Sequence, residues 1–262
     1  MTLSKEASAV PYVKLIRAPN PGPMTLDGTN TWVIADQGEG ALVVDPGPAI
    51  QTHIEAILAA CSAGLRAIVL THRHLDHSEA AAMLAEQAGC GVRAADPQFR
   101  IGPDGLDGGQ LIRVGALSLE VFETPGHTSD SRSFLLSGED GISRLITGDM
   151  VLGRGTTVIT YPDGDLAAYF DSLDLLERLV RTRNIAELLP GHGPIVADPL
   201  PWLSFYREHR HERLHQIRTA LEAGDRTAGE IVARVYADVD RSVWPAAEQS
   251  VRAQLDYLRH VG

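Results

Sequence analysis

The sequence predicts a mixed α/β fold followed by a small helical module. Near the N-terminus a strand, a helix and a second strand follow one another, as in a βαβ unit. Short apolar segments separated by glycine-containing turns then predict several successive strands through the middle of the chain. After residue 198 the pattern is helical. Together these observations place a sheet-containing domain before a helical one.

The N-terminal elements alternate between strand and helix. Short apolar runs predict strands at residues 31–35, 41–45 and 67–70. Apolar residues at helical spacing, among them Ile50, Ile54 and Ile57, predict a helix over residues 48–60. An alanine-rich helix is predicted over residues 77–88.

The middle of the chain reads as a series of hairpins. Strands are predicted at residues 92–95, 110–114, 117–124, 132–137 and 145–147. A helix over residues 165–182 carries an apolar face that includes Leu166, Leu173 and Leu176. One more short strand is expected at residues 186–189.

Two prolines near residues 198–201 interrupt the pattern, and they suggest a large N-terminal domain at 1–198 and a helical module at 199–262. Helices are predicted at residues 202–223, 227–236 and 244–260. Thr227 and Glu230 have the spacing of a capping box at the start of the second of these helices.

The composition is that of a globular domain, with 44% hydrophobic and 22% charged residues among 262. A net charge of −11 weighs against tight, sequence-independent binding of nucleic acid. Cys61 and Cys90 do not suggest a disulfide framework or a metal site. Neither a secretory signal nor a membrane-spanning segment is apparent, so a cytoplasmic location is expected.

The strongest chemical signal is the cluster THRHLDH at residues 71–77. It follows a buried apolar strand, and alternate side chains at a strand end project in one direction, so His72 and His74 can converge. If the chain then turns into a helix, Asp76 and His77 can face a second point nearby. Imidazole and carboxylate ligands favour zinc, iron or manganese over calcium.

Three further motifs each place one candidate ligand after a short apolar strand. They are Pro125-Gly126-His127, Thr147-Gly148-Asp149 and Pro190-Gly191-His192. The glycines permit close approach of neighbouring backbone. With the THRHLDH cluster, they predict a metal centre assembled from several strand ends.

This ordered set of residues resembles the five-motif signature of the metallo-β-lactamase superfamily. The resemblance implies an αββα sandwich with two metal ions at one edge. It implies that the first ion is held by His72, His74 and His127. The second would be held by Asp76, His77 and His192, and Asp149 would bridge the two ions. Asp45 matches a residue that orients a ligand histidine without binding metal.

The expected chemistry is hydrolysis by a hydroxide shared between two zinc ions, since metal binding lowers the pKa of water to about 7 in favourable sites. Iron or manganese could replace zinc. Asp76 and Asp149 are the candidate catalytic residues, because Asp76 could also guide a proton and Asp149 would bridge the metal ions.

The segment NPGPMTLDGTNTW at residues 20–32 resembles a particular subgroup of this superfamily. That subgroup includes a mitochondrial single-strand endoribonuclease and thioesterases that serve polyketide synthases. It also ends in a small winged-helix-like module, whose pattern the segments at residues 233–236 and 245–251 fit. No final wing is evident before Gly262, which disfavours nucleic-acid binding by this module.

Several functions are compatible with this resemblance. Cleavage of single-stranded RNA is favoured narrowly by the subgroup, and hydrolysis of a small ester or thioester is the alternative that suits the acidic charge better. Hydrolysis of β-lactams is less favoured, because zinc β-lactamases generally lack the aspartate found here at Asp149. A non-catalytic metal-binding module is disfavoured by the full ligand set. The sequence does not indicate an oligomeric state.

The helical segment YREHRHERLHQIR at residues 206–218 contains three more histidines, His209, His211 and His215. His211 and His215 lie one helical turn apart, which would allow a second metal site. We interpret the segment instead as a solvated and partly salt-bridged helix face.

Overall fold

Two five-stranded sheets form the centre of the molecule in the computed structural model, which describes residues 10–261. The first sheet has the order β1-β2-β3-β4-β5, with strands at Val13–Arg17, Asn30–Asp36, Gly40–Val44, Leu65–Val69 and Gly91–Arg93. The second has the order β10-β9-β8-β7-β6. From β6 to β10 its strands are Leu111–Val114, Leu117–Glu123, Arg132–Ser137, Ser143–Gly148 and Ile185–Pro190.

Each sheet is mixed. In the first sheet β3, β4 and β5 run parallel, and β1 and β2 extend it in antiparallel fashion. In the second sheet β9 and β10 are parallel, while β6 to β9 form consecutive antiparallel pairs. The antiparallel run from β6 to β9 confirms the predicted series of hairpins from residue 110 onward. The first strand of that series, predicted at residues 92–95, is wrongly placed, because β5 pairs in parallel with β4 in the first sheet.

Helices cover the outer face of each sheet. Their bounds, from α1 to α7, are Gln51–Ala60, Leu75–Ser78, Ala81–Ala88, Leu166–Thr182, Pro199–Glu222, Ala228–Val235 and Trp244–Val261. Side chains from both sheets, such as Trp32 and Phe134, share the central core. Ile54 and Leu84 pack α1 and α3 on the first sheet, and Leu173 and Tyr206 pack α4 and α5 on the second. The four layers form the expected αββα sandwich.

The edge strand β1 is absent from the sequence prediction. Its residues Val13–Arg17 do not alternate clearly, since only Val13 is fully buried and the rest are partly or fully exposed. Pairing with β2 along its whole length holds this strand in the sheet. Its strand conformation therefore depends on a partner rather than on its own pattern.

The single helix predicted over residues 77–88 is wrong. The chain forms two short helices, α2 and α3, because the N–H of Ala80 donates to the carbonyl of Gly47 at 3.0 Å instead of to the preceding helical turn. Gly47 in turn donates its N–H to the carbonyl of His77 at 3.1 Å. These two hydrogen bonds hold α2, which carries Asp76 and His77, against the loop after β3.

The prolines at 199 and 201 begin a helix rather than interrupt one. Helix α5 starts at Pro199, three residues before the predicted start at 202. The first turn of a helix tolerates proline because its N–H groups have no partner within the helix.

The helices after residue 198 have a small core of their own, which includes Ile217, Ile231 and Val251. The predicted capping box of Thr227 and Glu230 is present at the start of α6. In the described chain from 199 to 261 the elements are all helical, and no strand completes a wing. Helix α5 also packs on the second sheet through Leu203 and Leu214, so it belongs to both cores.

Both cysteines lie in or beside the core under the first sheet, Cys61 buried and Cys90 partly buried, as free thiols. Among the described residues, none of the helices is long and apolar enough to span a bilayer.

Candidate metal centre

The seven candidate ligands lie together beyond the ends of four strands. His72 and His74 lie in the loop after β4, and Asp76 and His77 lie in the helix α2 that follows it. The loop after β7 carries His127, and Asp149 and His192 follow β9 and β10. Three groups of these side chains have ligand atoms within 4.8 Å of one another. They are His72–His74–His127, His72–His77–Asp149 and Asp76–His77–His192.

Three histidines form the first cluster. Nε2 of His72 lies 3.0 Å from Nδ1 of His74, and Nε2 of His127 lies 3.1 Å from the same atom of His74. Ligands bound tetrahedrally about 2.0–2.1 Å from zinc are separated by about 3.3 Å. The spacing of the nitrogens therefore suits one small cation.

Two histidines and an aspartate form the second cluster. Nε2 of His77 lies 3.2 Å from Nε2 of His192, and Oδ2 of Asp76 lies 3.2 Å from the His192 nitrogen. Asp149 stands between the two clusters. Its Oδ1 is 3.5 Å from Nε2 of His77, and its Oδ2 is 3.8 Å from Nε2 of His127.

Hydrogen bonds on the far side of the rings determine which nitrogen is free to bind a cation. Nδ1 of His127 lies 2.6 Å from the carbonyl oxygen of Val158, and Nδ1 of His192 lies 3.3 Å from that of Gly28. A carbonyl oxygen only accepts, so both Nδ1 atoms carry hydrogen, which leaves Nε2 of each ring as the nitrogen that would bind a cation. This arrangement is usual for histidines that bind metals.

Asp45 determines the orientation of two more rings. Its Oδ2 accepts from Nδ1 of His77 at 2.9 Å and from Oγ1 of Thr71 at 2.6 Å. Since the Thr71 hydroxyl donates to Asp45, it accepts from Nδ1 of His72, which is 3.0 Å away. One buried carboxylate thus leaves Nε2 of both His72 and His77 available, as expected of a residue that orients ligands.

Two further observations show that a cation fits here. Oδ1 of Asp149 is buried and has no hydrogen bond from the described residues apart from its long contact of 3.5 Å with Nε2 of His77. A Cβ atom on Gly191 would lie 2.6 Å from that oxygen and 2.8 Å from Cε1 of His77. Only glycine leaves space for both side chains at this position. A nitrogen-rich donor set with two carboxylates suits zinc, iron or manganese.

The ionisation of the cluster also suits cations. Burial, together with the neighbouring His77 and His127, keeps the pKa of His72 well below its usual value, and burial lowers the pKa of His127 to about 4. For His192, burial is outweighed by the carboxylates of Asp149 and Asp76, which raise its pKa to about 9. The protons held beside these carboxylates occupy a position that a cation would take.

The sequence did not reveal how the C-terminal helices contribute to the site. The segment after Asp149 is held by Tyr206 of α5, whose hydroxyl accepts the N–H of Leu152 at 2.7 Å, and by Ser250 of α7, whose Oγ accepts the N–H of Ile159 at 3.0 Å. This segment carries Val158, the hydrogen-bond partner of His127. Contacts between residues so distant in sequence leave no local pattern.

The interpretation of residues 206–218 as a solvated helix face is wrong for part of the segment. Arg210 is buried, and His209 is half-buried beside Thr156. His211 does stack on Phe170, with 4.9 Å between ring centroids. Among the described residues, the side chains placed to hold a metal ion do not include His211 or His215.

The fold and the position of the His and Asp motifs define a hydrolase of the αββα metallo-hydrolase class. The chain belongs to the metallo-β-lactamase superfamily, since the family model described as Metallo-beta-lactamase superfamily matches residues 24–192. A second model, described as Beta-lactamase associated winged helix domain, matches residues 227–262. Neither match fixes the domain boundary predicted at residue 198, which stays a prediction.

Curated relatives match over most of their length. A protein of Caenorhabditis elegans named "Beta-lactamase-like protein 2 homolog" is 32% identical over 253 residues, covering 91% of this chain and 81% of the relative. A protein of Aspergillus chevalieri named "Atrochrysone carboxyl ACP thioesterase" is 29% identical over 245 residues, covering 89% of this chain and 76% of the relative.

Solved structures show the same fold. A metallo-beta-lactamase family protein from Thermus thermophilus superposes with a TM-score of 0.80 at 22% identity, covering 97% of this chain and 95% of that one. A beta-lactamase domain protein from Burkholderia ambifaria gives a TM-score of 0.81 at 24% identity, covering 100% of this chain and 90% of that one.

Proposed function

We propose that this protein is a two-metal hydrolase of acyl esters, thioesters in particular, with zinc as its cation and iron or manganese as alternatives. His72, His74 and His127 would hold one ion, and Asp76, His77 and His192 the other. Asp149 would bridge them. This set follows from the two clusters and from the free nitrogens that their hydrogen bonds define.

The observation that carries the choice of substrate is the cleft beside the clusters. It has a volume of about 310 Å³, and its lining includes the candidate ligands His127 and Asp149. Helices α5 and α7 contribute Arg213 and Ala247 to the lining. A cleft of this size suits a compact acyl group and part of its leaving group.

Two cations held here would supply an acidified water and would polarise the oxygen of the scissile carbonyl. The protein's own groups then have separate tasks. Asp45 keeps the rings of His72 and His77 oriented. The side chain of Asp76 is 30% exposed, so its carboxylate can accept a proton from the attacking water and return it to the leaving group.

The names of relatives support acyl transfer chemistry. Besides the Aspergillus chevalieri protein, a relative from Aspergillus fumigatus is named "Atrochrysone carboxyl ACP thioesterase" and is 30% identical over 220 residues. These names describe those proteins, and they make thioesters the first compounds to test here.

Cleavage of single-stranded RNA, which the sequence favours narrowly, is the second candidate. The observation in its favour is that the cleft contains the cationic side chains Arg154, Arg210 and Arg213, which could face a phosphate. The net charge of −11 opposes it, because a strand must approach the whole surface and not the cleft alone.

Parallel assays on one preparation test the proposal. The zinc-loaded protein is incubated with a panel of acyl thioesters and with end-labelled single-stranded RNA, with and without chelator. Asp76→Ala and the matched control Asp198→Asn, at an exposed position outside the cleft, are assayed alongside. We expect thioester turnover that chelator and Asp76→Ala abolish and Asp198→Asn leaves intact.

RNA cleavage without thioester turnover would replace the proposal with its second candidate. No turnover of either substrate by protein that elemental analysis shows to be metal-loaded would contradict both.

A further inference from the structure

Two arginines of the described chain are buried, and they differ in their partners. Arg144 is 4% exposed and lies within ion-pair distance of Asp140 and Glu187. Arg210 is 3% exposed, yet no described carboxylate forms an ion pair with it. A buried cation without an anion is unfavourable, so the surroundings of Arg210 call for an explanation.

The contacts of Arg210 hold it without neutralising it. Nη2 donates to the carbonyl oxygen of Thr157, the guanidinium lies 5.1 Å from the centroid of the Tyr169 ring, and Nε has no partner. Oγ1 of Thr157 is 3.2 Å from Nδ1 of His127. Arg210 therefore contacts Thr157, which in turn contacts the candidate metal ligand His127.

Arg213 lies one turn further along α5 and lines the same cleft. Its Nη1 donates to Oε1 of Gln216 at 2.6 Å, its guanidinium lies 4.8 Å from the centroid of the Tyr236 ring, and its Nε is also without a partner. Among the described residues that line the cleft, the only carboxylate is that of Asp149, which is also a candidate metal ligand. The α5 side of the cleft is thus cationic.

His209 lines the same cleft as these two arginines. Burial and the neighbouring guanidinium groups of Arg210 and Arg213 lower its pKa to about 4. The imidazole is then neutral at neutral pH and able to donate a hydrogen bond without adding charge.

The rest of the cleft is largely apolar. Met24 and Leu26 come from the segment before β2, and Val239, Val243 and Ala247 come from the C-terminal helices and the turn before them. Met24 and Val239 are 49% and 38% exposed, so apolar surface continues to the rim. An anion bound by Arg210 and Arg213 would lie in the same cleft as this apolar surface and the candidate ligands His127 and Asp149.

We propose that Arg210 and Arg213 bind an anionic group of the substrate, a carboxylate or a phosphate, while the apolar residues of the cleft contact its carbon chain. The proposal rests on the proposed acyl-hydrolase function and narrows it to thioesters that carry a negative charge. Guanidinium groups suit both anions, because their paired N–H groups match two oxygens.

Matched thioesters separate the two sources of the anion. One pair has an acyl chain ending in a free carboxylate or in its methyl ester, on a neutral thiol. The other pair has one neutral acyl group on pantetheine or on phosphopantetheine. Zinc-loaded wild-type protein, Arg210→Lys, Arg213→Gln and Arg213→Lys are compared, with Arg218→Gln as control. Arg218 is exposed on the same helix and does not line the cleft.

We expect wild-type protein to prefer the charged member of one pair by about tenfold or more in kcat/KM, mainly through KM. Arg213→Gln should lose most of that preference, because kcat/KM for the charged member falls toward the value for the neutral member. Arg213→Lys should keep part of it, and Arg218→Gln should keep all of it. The pair that shows the preference identifies the anion as carboxylate or phosphate.

Calorimetric binding of the corresponding thioether analogues, which cannot be hydrolysed, gives a readout independent of turnover. The protein could bind the charged analogue more tightly than the neutral one, lose that difference in Arg213→Gln, and yet show no thioesterase activity. That result would contradict the proposed function and support the anion site. Equal use and equal binding of charged and neutral members by wild-type protein would overturn the anion site. So would a preference that survives both Arg213→Gln and Arg210→Lys.

Discussion

The carbonyl oxygen of Val158 accepts a hydrogen bond from Nδ1 of His127 at 2.6 Å, and this contact links the C-terminal helices to the candidate metal centre. The next residue, Ile159, donates its N–H to Ser250 in α7. A helix far along the chain therefore helps to position a candidate ligand that follows β7. The helical module belongs to the structure of the site and is not merely appended to it.

Replacing Ser250 with alanine tests this link. The N–H of Ile159 would lose its acceptor inside the protein, which should lower the free energy of unfolding by about 1–3 kcal/mol. His127 should then bind metal less tightly, because Val158 would be held less firmly. Chemical denaturation and a chelator competition titration measure the two effects.

The control for Ser250→Ala is Ser62→Ala, at an exposed position in the turn after α1. It should change neither quantity. If Ser250→Ala reduces stability but leaves metal affinity at the wild-type value, α7 supports the fold without supporting the site.

The change Asp45→Asn tests the carboxylate that orients two histidines. Asparagine suits this position because Asp45 has a φ of 53°, a conformation that asparagine tolerates better than most residues. The amide oxygen can take the place of Oδ1, which accepts the backbone N–H of Thr71 at 2.7 Å. The amide nitrogen would then replace Oδ2, and it cannot accept from His77 or from the Thr71 hydroxyl. Metal affinity should fall about 10–100-fold, although Asp45 is not a proposed ligand.

Chelator competition, with Asp198→Asn as the surface control, measures that fall. Metal affinity unchanged from wild type would mean that the His77 ring holds its orientation without Asp45.

Much of the fold and the candidate centre follows from sequence because the signals are local. His72, His127, Asp149 and His192 each follow a short apolar run. Such a run predicts a strand, and the residue after it is then predicted to lie at the edge of the sheet where that strand ends. Parallel and antiparallel strands that share a core then bring these ends together. The geometry agrees with the expectation for all seven residues, whereas their role as metal ligands stays a prediction.

Other features depend on contacts that a local pattern does not contain. Strand β1 is held by pairing with β2, and the break between α2 and α3 is set by the Gly47 carbonyl. Arg210 lies in a segment rich in charge, which suggests an exposed helix face, but the packing of α5 over the second sheet buries it. Spacing from the buried Tyr206 and Leu214 would have placed Arg210 on the inner face of α5.

The side chain of His209 should make stability depend on pH. Its pKa is about 4 in the folded protein, compared with 6.5 for an unperturbed histidine, so the unfolded chain takes up the proton first as the pH falls. Stability from this group is therefore fully present above pH 6.5 and declines as the pH falls toward 4.

In His209→Asn this contribution is absent. The difference in unfolding free energy between wild type and variant, measured by chemical denaturation across that pH range, should shift against the wild type as the pH falls. A constant difference would show that His209 does not titrate between its folded and unfolded values.

Gly191 tests whether the two clusters are packed as closely as the distances indicate. In Gly191→Ala the new Cβ would lie 2.6 Å from Oδ1 of Asp149 and 2.8 Å from Cε1 of His77, so at least one of these side chains must move. We expect the purified variant to retain fewer metal ions per chain than wild type, by elemental analysis, and to lose most of its hydrolytic activity.

Gly229→Ala is the matched control, because a Cβ there meets no atom within 4 Å and the residue lies in α6. That control should keep the wild-type metal content and gain about 0.5–1 kcal/mol in unfolding free energy, since alanine favours helix over glycine. A Gly191→Ala protein with the wild-type metal content would mean that Asp149 and His77 can separate without releasing a cation, and Asp149 would then not bridge the two sites.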